Sequence, residues 1–81
     1  MDLVSTSEAT RDAIARLTPT QVKVLQGVQS GLLNKQIAFD LGITEATVKG
    51  HLSALMRRLR VRNRTQVAVL AQATTLPQSG E

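Results

Sequence analysis

Apolar residues recur along this chain at helical rather than alternating intervals, in runs separated by turn-forming residues. The clearest run is Val48, Leu52, Leu55 and Leu59, spaced four, three and four residues apart. At about 100° per residue these positions form one narrow stripe that must face a core. The same arithmetic turns Ala46, Lys49, Gly50, Ser53 and Arg57 to the opposite side. Thr44 is placed to cap this helix. Ile43 and Val48 hold the two positions of a hydrophobic staple, which sets the angle at which the chain joins the helix.

Upstream, Thr18-Pro19-Thr20-Gln21 is a helix start, with a capping Thr, Pro at the first helical position and Gln to complete a capping box. Val22, Val24, Leu25, Val28 and Gln29 continue it, and Gly31 stops it. The next helix is expected to take Asn34 as N-cap, turn Ile37, Ala38 and Leu41 inward, and end at Gly42. Phe39 is expected to be a core or half-buried packing residue. Asn63 and Gln66 frame the start of a last helix that runs to about Ala73. Val67, Leu70 and Ala71 form one apolar face of it, while Val69 and Ala73 lie on another side. That second side is more apolar surface than one small core absorbs.

Ser5 and Glu8 have capping-box spacing, so a short helix from about Glu8 to Arg16 fits within an arm or linker over 1–15. The residues from Pro77 to Glu81 read as a frayed tail, part of a flexible segment over 75–81. The expectation is an all-α, compact four-helix domain over 16–74 with an extra short N-terminal helix. Its helix-turn-helix falls at about 32–51.

Composition narrows the class. With 81 residues there is room for one small domain. Without cysteine, neither disulfides nor thiolate metal sites brace it. The single His lacks partners for a metal site. No nucleophile–base set or phosphate-cradling Gly loop is present, so the chain does not read as an enzyme, and no cofactor is expected. The first residues, with Asp2 and no basic region, do not read as a secretory signal. No segment approaches the ~20 apolar residues needed to span a bilayer.

The formal net charge is +4 and the sequence pI about 10.8. Between Leu17 and Arg64, Lys23, Lys35, Lys49, Arg57, Arg58, Arg60, Arg62 and Arg64 stand against Asp40 and Glu45 alone. A basic surface concentrated in one part of a small domain favours a polyanion, nucleic acid being the usual one, although charge alone fits a solubilising surface equally well. No aromatic stripe accompanies it, which disfavours a membrane surface. One aromatic residue is too few for stacking on single-stranded nucleic acid, whereas duplex recognition needs none.

The polar face of the Val48–Leu59 helix carries the candidate chemistry. Small residues surround one long cation, Lys49. An interior Gly costs ~1 kcal/mol relative to Ala, and close approach of the helix backbone to a ligand would offset that cost at Gly50. The major groove of DNA is wide enough for one helix. Base-edge contacts are expected from Lys49, Gly50, Ser53 and Ala46. Phosphate contacts are expected from Asn34, Lys35, Thr44, Thr47, His51, Arg57 and Arg58. Ser53 reads equally well as an uninvolved surface residue, whereas Lys49 reads as a DNA contact ahead of mere surface charge, and the adjacency of the helix-turn-helix and the arginine run favours DNA. Arg60, Arg62 and Arg64 read as residues that solubilise the loop before the last helix.

These residues carry a family resemblance. Leu17-Thr-Pro, Val24-Leu25, Gly31-Leu, Asn34-Lys, Ile37-Ala, Leu41-Gly-Ile, Thr47-Val-Lys49, His51-Leu, Leu59 and Val61-Arg-Asn-Arg64-Thr-Gln together resemble the DNA-binding domain of LuxR/FixJ-type (GerE-like) bacterial transcription regulators. The resemblance spans roughly Leu17 to Ala73. It implies a scaffold helix from Asn34 and a recognition helix at about Glu45–Arg60. It places base contacts on Lys49, Gly50 and Ser53 and backbone contacts near Thr44, Thr47 and His51. It also implies dimerisation on DNA through the last helix, at Val69, Ala73 and Gln66. Three positions depart from the family pattern. Gln21 stands where Glu is usual, so an ion pair often made with the position of Lys35 is absent. Gly50 is smaller than usual, and Ser53 replaces another polar or basic residue.

The implied partners are double-stranded DNA, a second copy of the chain on a two-fold site, and RNA polymerase, with no membrane. The implied setting is the bacterial cytoplasm. The chain would be the output domain of a two-component response regulator or a free-standing regulator. The alternative is a protein-interaction module of the same fold that binds another regulator and no longer reads DNA.

Overall fold

Capping side chains and left-handed turn residues divide this chain into helices. In a computed structural model that describes residues 8–73, the described residues form five α-helices and no strand. These are α1 (Glu8–Ala15), α2 (Pro19–Gln29), α3 (Asn34–Leu41), α4 (Glu45–Leu59) and α5 (Arg64–Gln72). Ser5 and the segment 75–81 lie outside the described residues.

The capping box before α2 forms in both directions. The Gln21 N–H donates to Thr18 Oγ1 at 3.1 Å, and the Thr18 N–H donates to Gln21 Oε1 at 3.0 Å. Helix α3 starts differently from the sequence expectation. Its N-cap is Leu33, and Asn34 is already the first helical residue. Leu33 has no side-chain acceptor, so only the reciprocal half of a capping box remains, the Leu33 N–H donating to Gln36 Oε1 at 2.8 Å. Gly42 closes α3 in the left-handed conformation at φ 70°, which costs Gly nothing sterically. Arg60 closes α4 at φ 60°, a conformation that is strained for a residue with a Cβ.

The core follows the stripes. Val22, Val24, Leu25 and Val28 of α2, Ile37 and Ala38 of α3, Val48, Leu52, Leu55 and Leu59 of α4, and Val67, Leu70 and Ala71 of α5 are all buried. Helix α2 packs on α4 and α5, and α3 packs on α4. Gln29 adds a polar tie, its Nε2 donating to the Ala71 carbonyl at 2.9 Å. Where α2 meets α3, Gly27 permits the approach. A Cβ there would come within 2.7 Å of Ile37 Cγ1 and 2.9 Å of Cδ1.

Two expectations are corrected here. Phe39 is 84% exposed rather than in the core or half-buried, and Leu33, the N-cap of α3, is 66% exposed. On the helical wheel Phe39 lies about 160° from Leu41 and 160° from Ile37, so only its size argued for burial, and the periodicity wins. The arm expected over 1–15 also contributes to the core. Ile14 of α1 is 3% exposed, and α1 packs on α4.

Candidate nucleic-acid interface

Helix α4 is held so that its polar face is free. Val48, Leu52, Leu55 and Leu59 are each at most 6% exposed, which fixes the rotation of the helix about its axis. With that rotation set, Ala46, Lys49, Gly50, Ser53 and Arg57 all face solvent. A Cβ at Gly50 would meet no atom within 4 Å. No intramolecular packing therefore accounts for Gly at this position.

The start of the helix is organised by two threonines. The Thr47 N–H donates to Thr44 Oγ1 at 3.1 Å, and the two hydroxyl oxygens lie 2.9 Å apart in a mutual hydrogen bond. One hydroxyl uses its hydrogen in that bond, so the other keeps a hydrogen to donate outward. Both residues are exposed. Glu45 in the first turn and Arg57 and Arg58 in the last turn each complement the helix dipole. Arg57 and Arg58 are exposed and line a groove of about 320 Å³ with Gln21 and Ala54. His51 is half-buried on the flank of the same helix.

On α3, Lys35 is exposed and Asn34 half-buried. Lys35 lines a depression of about 640 Å³ together with Phe39, Ile43 and Glu45, so the outer side of α3 opens towards the start of α4. Asn34 is held from behind. Arg64 Nη1 donates to Asn34 Oδ1, and Arg64 Nη2 donates to the Leu32 carbonyl. The expectation that Arg64 only solubilises its loop is thereby overturned. It ties the start of α5 to the turn before α3. Its spacing in the arginine run gave no sign of this, because the partner lies 30 residues away.

On α5, Asn63 Oδ1 accepts from the Gln66 N–H at 2.9 Å and caps the helix. Gln66 is half-buried, and its Oε1 accepts from the Arg62 N–H. Val69 is 40% exposed and Ala73 is exposed, so the second apolar side does face outward. Val69, with Val61, Gln66 and Leu70, lines a groove of about 320 Å³ flanked by Arg60 and Arg62.

Residues 15–71 match the family described as bacterial regulatory proteins, luxR family. The chain is 45% identical over 60 residues to a glycerol metabolism activator of Pseudomonas putida, covering 74% of this chain and 27% of that protein. It is 43% identical over 63 residues to the two-component response regulator PprB of Pseudomonas aeruginosa, covering 78% and 23%. It is 44% identical over 62 residues to the nitrate/nitrite response regulator protein NarP of Escherichia coli, covering 76% and 29%. No solved structure gives a significant match.

The chain belongs to the luxR family of bacterial regulatory proteins, and its helix-turn-helix is a DNA-binding domain of transcription regulation. It spans about a quarter of the length of these relatives. The family and these relatives are regulators rather than enzymes. Among the described residues, no helix is long and apolar enough to cross a membrane.

Proposed function

We propose that α4 lies in the major groove of duplex DNA with Ala46, Lys49, Gly50 and Ser53 against base edges. Asn34, Lys35, Thr44, Thr47, His51, Arg57 and Arg58 hold the flanking phosphates. The observation that carries this reading is the solvent-facing side of α4. It joins one cation to small residues and to a glycine that nothing inside the fold requires. Small side chains let the helix backbone approach the base edges, and Lys49 then reaches guanine acceptors. Phosphate contacts set register and orientation, and the base contacts specify sequence.

A second copy docks through the exposed side of α5, at Val69, Ala73 and Gln66, to read a two-fold site. The chain is the output domain of a response regulator or a free-standing regulator, in the bacterial cytoplasm; the names of two relatives, both response regulators, support the first of these. RNA polymerase is the partner that such an output would engage.

Substituting Lys49→Ala and Ser53→Ala tests the base-reading role. On a duplex selected by the wild-type chain from a random-sequence pool, each should weaken binding and relax preference at one base position. A lost bidentate or polar base contact corresponds to ~1–3 kcal/mol of discrimination. Unchanged affinity and unchanged preference in both variants would refute the placement of this face in the groove.

A further inference from the structure

We propose that Arg64 is a positioning residue for DNA binding. It sets the orientation of the Asn34 side-chain amide so that the amide nitrogen, and not the oxygen, faces the phosphate. The inference rests on the DNA-binding placement of α3 and α4 given above.

An Asn side chain has one accepting oxygen and one donating nitrogen, and the two ends are nearly the same shape. Against a phosphate only the donating end is useful, and the reversed amide presents oxygen to oxygen. A partner inside the protein that holds the oxygen presets this orientation before DNA arrives. In this fold that partner is Arg64, a guanidinium that has only donors to offer and so selects the Asn34 oxygen. The amide nitrogen is left without a protein partner among the described residues. A second nitrogen of the same guanidinium holds the Leu32 carbonyl, which prevents the arginine from swinging away. The Leu32 N–H is itself bonded to the Gly27 carbonyl at 3.0 Å, so the anchor reaches back into α2.

The position of Arg64 gives the contact a further consequence. It is the first residue of α5, the helix proposed to carry the dimer contact. One side chain thus couples the register of α5 to the phosphate-facing end of α3. Although it closes a run of arginines, Arg64 is half-buried and two of its N–H groups are engaged within the protein. Arg57 and Arg58, by contrast, are exposed. Arg64 therefore supports binding without itself neutralising a phosphate.

The test uses the full chain, the duplex selected by the wild-type chain, and a series of salt concentrations. Arg64→Met should weaken binding about as much as Asn34→Ala, roughly tenfold or more for a hydrogen bond to a charged group. The double variant should be little weaker than either single one. The slope of log affinity against log salt should stay at its wild-type value in Arg64→Met, because the phosphate contact that is lost is made by the neutral Asn34 amide and no cation leaves a phosphate. Asn34→Asp keeps the acceptors for Arg64 but removes the outward donor, so it should melt no lower than wild type and yet bind at least tenfold more weakly.

A slope made shallower by about 0.9 in Arg64→Met would mean that Arg64 contacts phosphate directly, and would overturn the inference. Undiminished binding by Asn34→Asp would overturn it as well, even if Arg64→Met fails to fold. A wild-type chain that binds no duplex at low salt would instead refute the DNA placement on which the inference rests.

Discussion

Replacing Gly50 with Ala should move stability and DNA affinity in opposite directions. Gly50 is exposed in the interior of α4, and an added Cβ has nothing within 4 Å to strike. The free chain therefore gains the full helix-propensity difference of ~1 kcal/mol. In a domain of this size that gain raises the melting temperature by about 4–8 °C. Against DNA the same methyl has no room if the backbone at Gly50 touches the base edges. Overpacking a tight contact by one methyl costs on the order of 1–3 kcal/mol, and each 1.4 kcal/mol is about tenfold in affinity. A loss of roughly tenfold is thus expected from a variant that is more stable than wild type. Thermal melts followed by far-UV circular dichroism give the first quantity, and anisotropy of a labelled duplex gives the second. A variant that is more stable and binds as tightly as wild type would refute the close approach of α4. A variant that is less stable would refute the open surroundings of Gly50.

Other consequences follow from single positions. Gly27→Ala gains helix propensity of ~1 kcal/mol but drives a methyl into Ile37, so a net loss of about 1 kcal/mol is expected by denaturant melts. The loss should shrink in an Ile37→Ala background, since both clashing atoms are then absent, and an unchanged loss would contradict this account of the contact. Arg60→Gly relieves a left-handed residue at the end of α4 and should stabilise the chain by up to ~1 kcal/mol. Val69→Asn lies on a 40% exposed position, so the monomer should change by no more than about 0.5 kcal/mol. Its binding to a two-fold duplex should weaken while half-site binding stays unchanged, and two-fold binding as tight as that of the wild type would remove Val69 from the dimer contact.

Most of the fold was legible because two signals agreed. The stripe through Val48, Leu52, Leu55 and Leu59 set the rotation of α4, and the caps at Thr18, Thr44 and Asn63 marked helix starts. The exposure of Ala46, Lys49, Gly50 and Ser53 followed from the same rotation. Errors arose where residue type was weighed above periodicity or where a partner was distant. Phe39 is large and apolar, the kind of residue that suits a core, yet its wheel position faces outward. Asn is a good N-cap, but the oxygen of Asn34 is engaged by Arg64 and the cap falls one residue earlier. The burial of Ile14 and the Gly27–Ile37 contact depend on how helices cross. Local patterns do not encode that.

The most direct test of the central claim is the affinity of the wild-type chain for duplex DNA across a salt series, on a selected and a scrambled sequence. Among the proposed phosphate contacts, Lys35, Arg57 and Arg58 carry full charge. At about −0.9 per neutralised phosphate, one protomer should give a log–log slope of about −3 and a two-fold dimer about −5. The account predicts a slope in that range, with tighter binding to the selected sequence. A slope near zero, or equal binding to both sequences at every salt concentration, would contradict it.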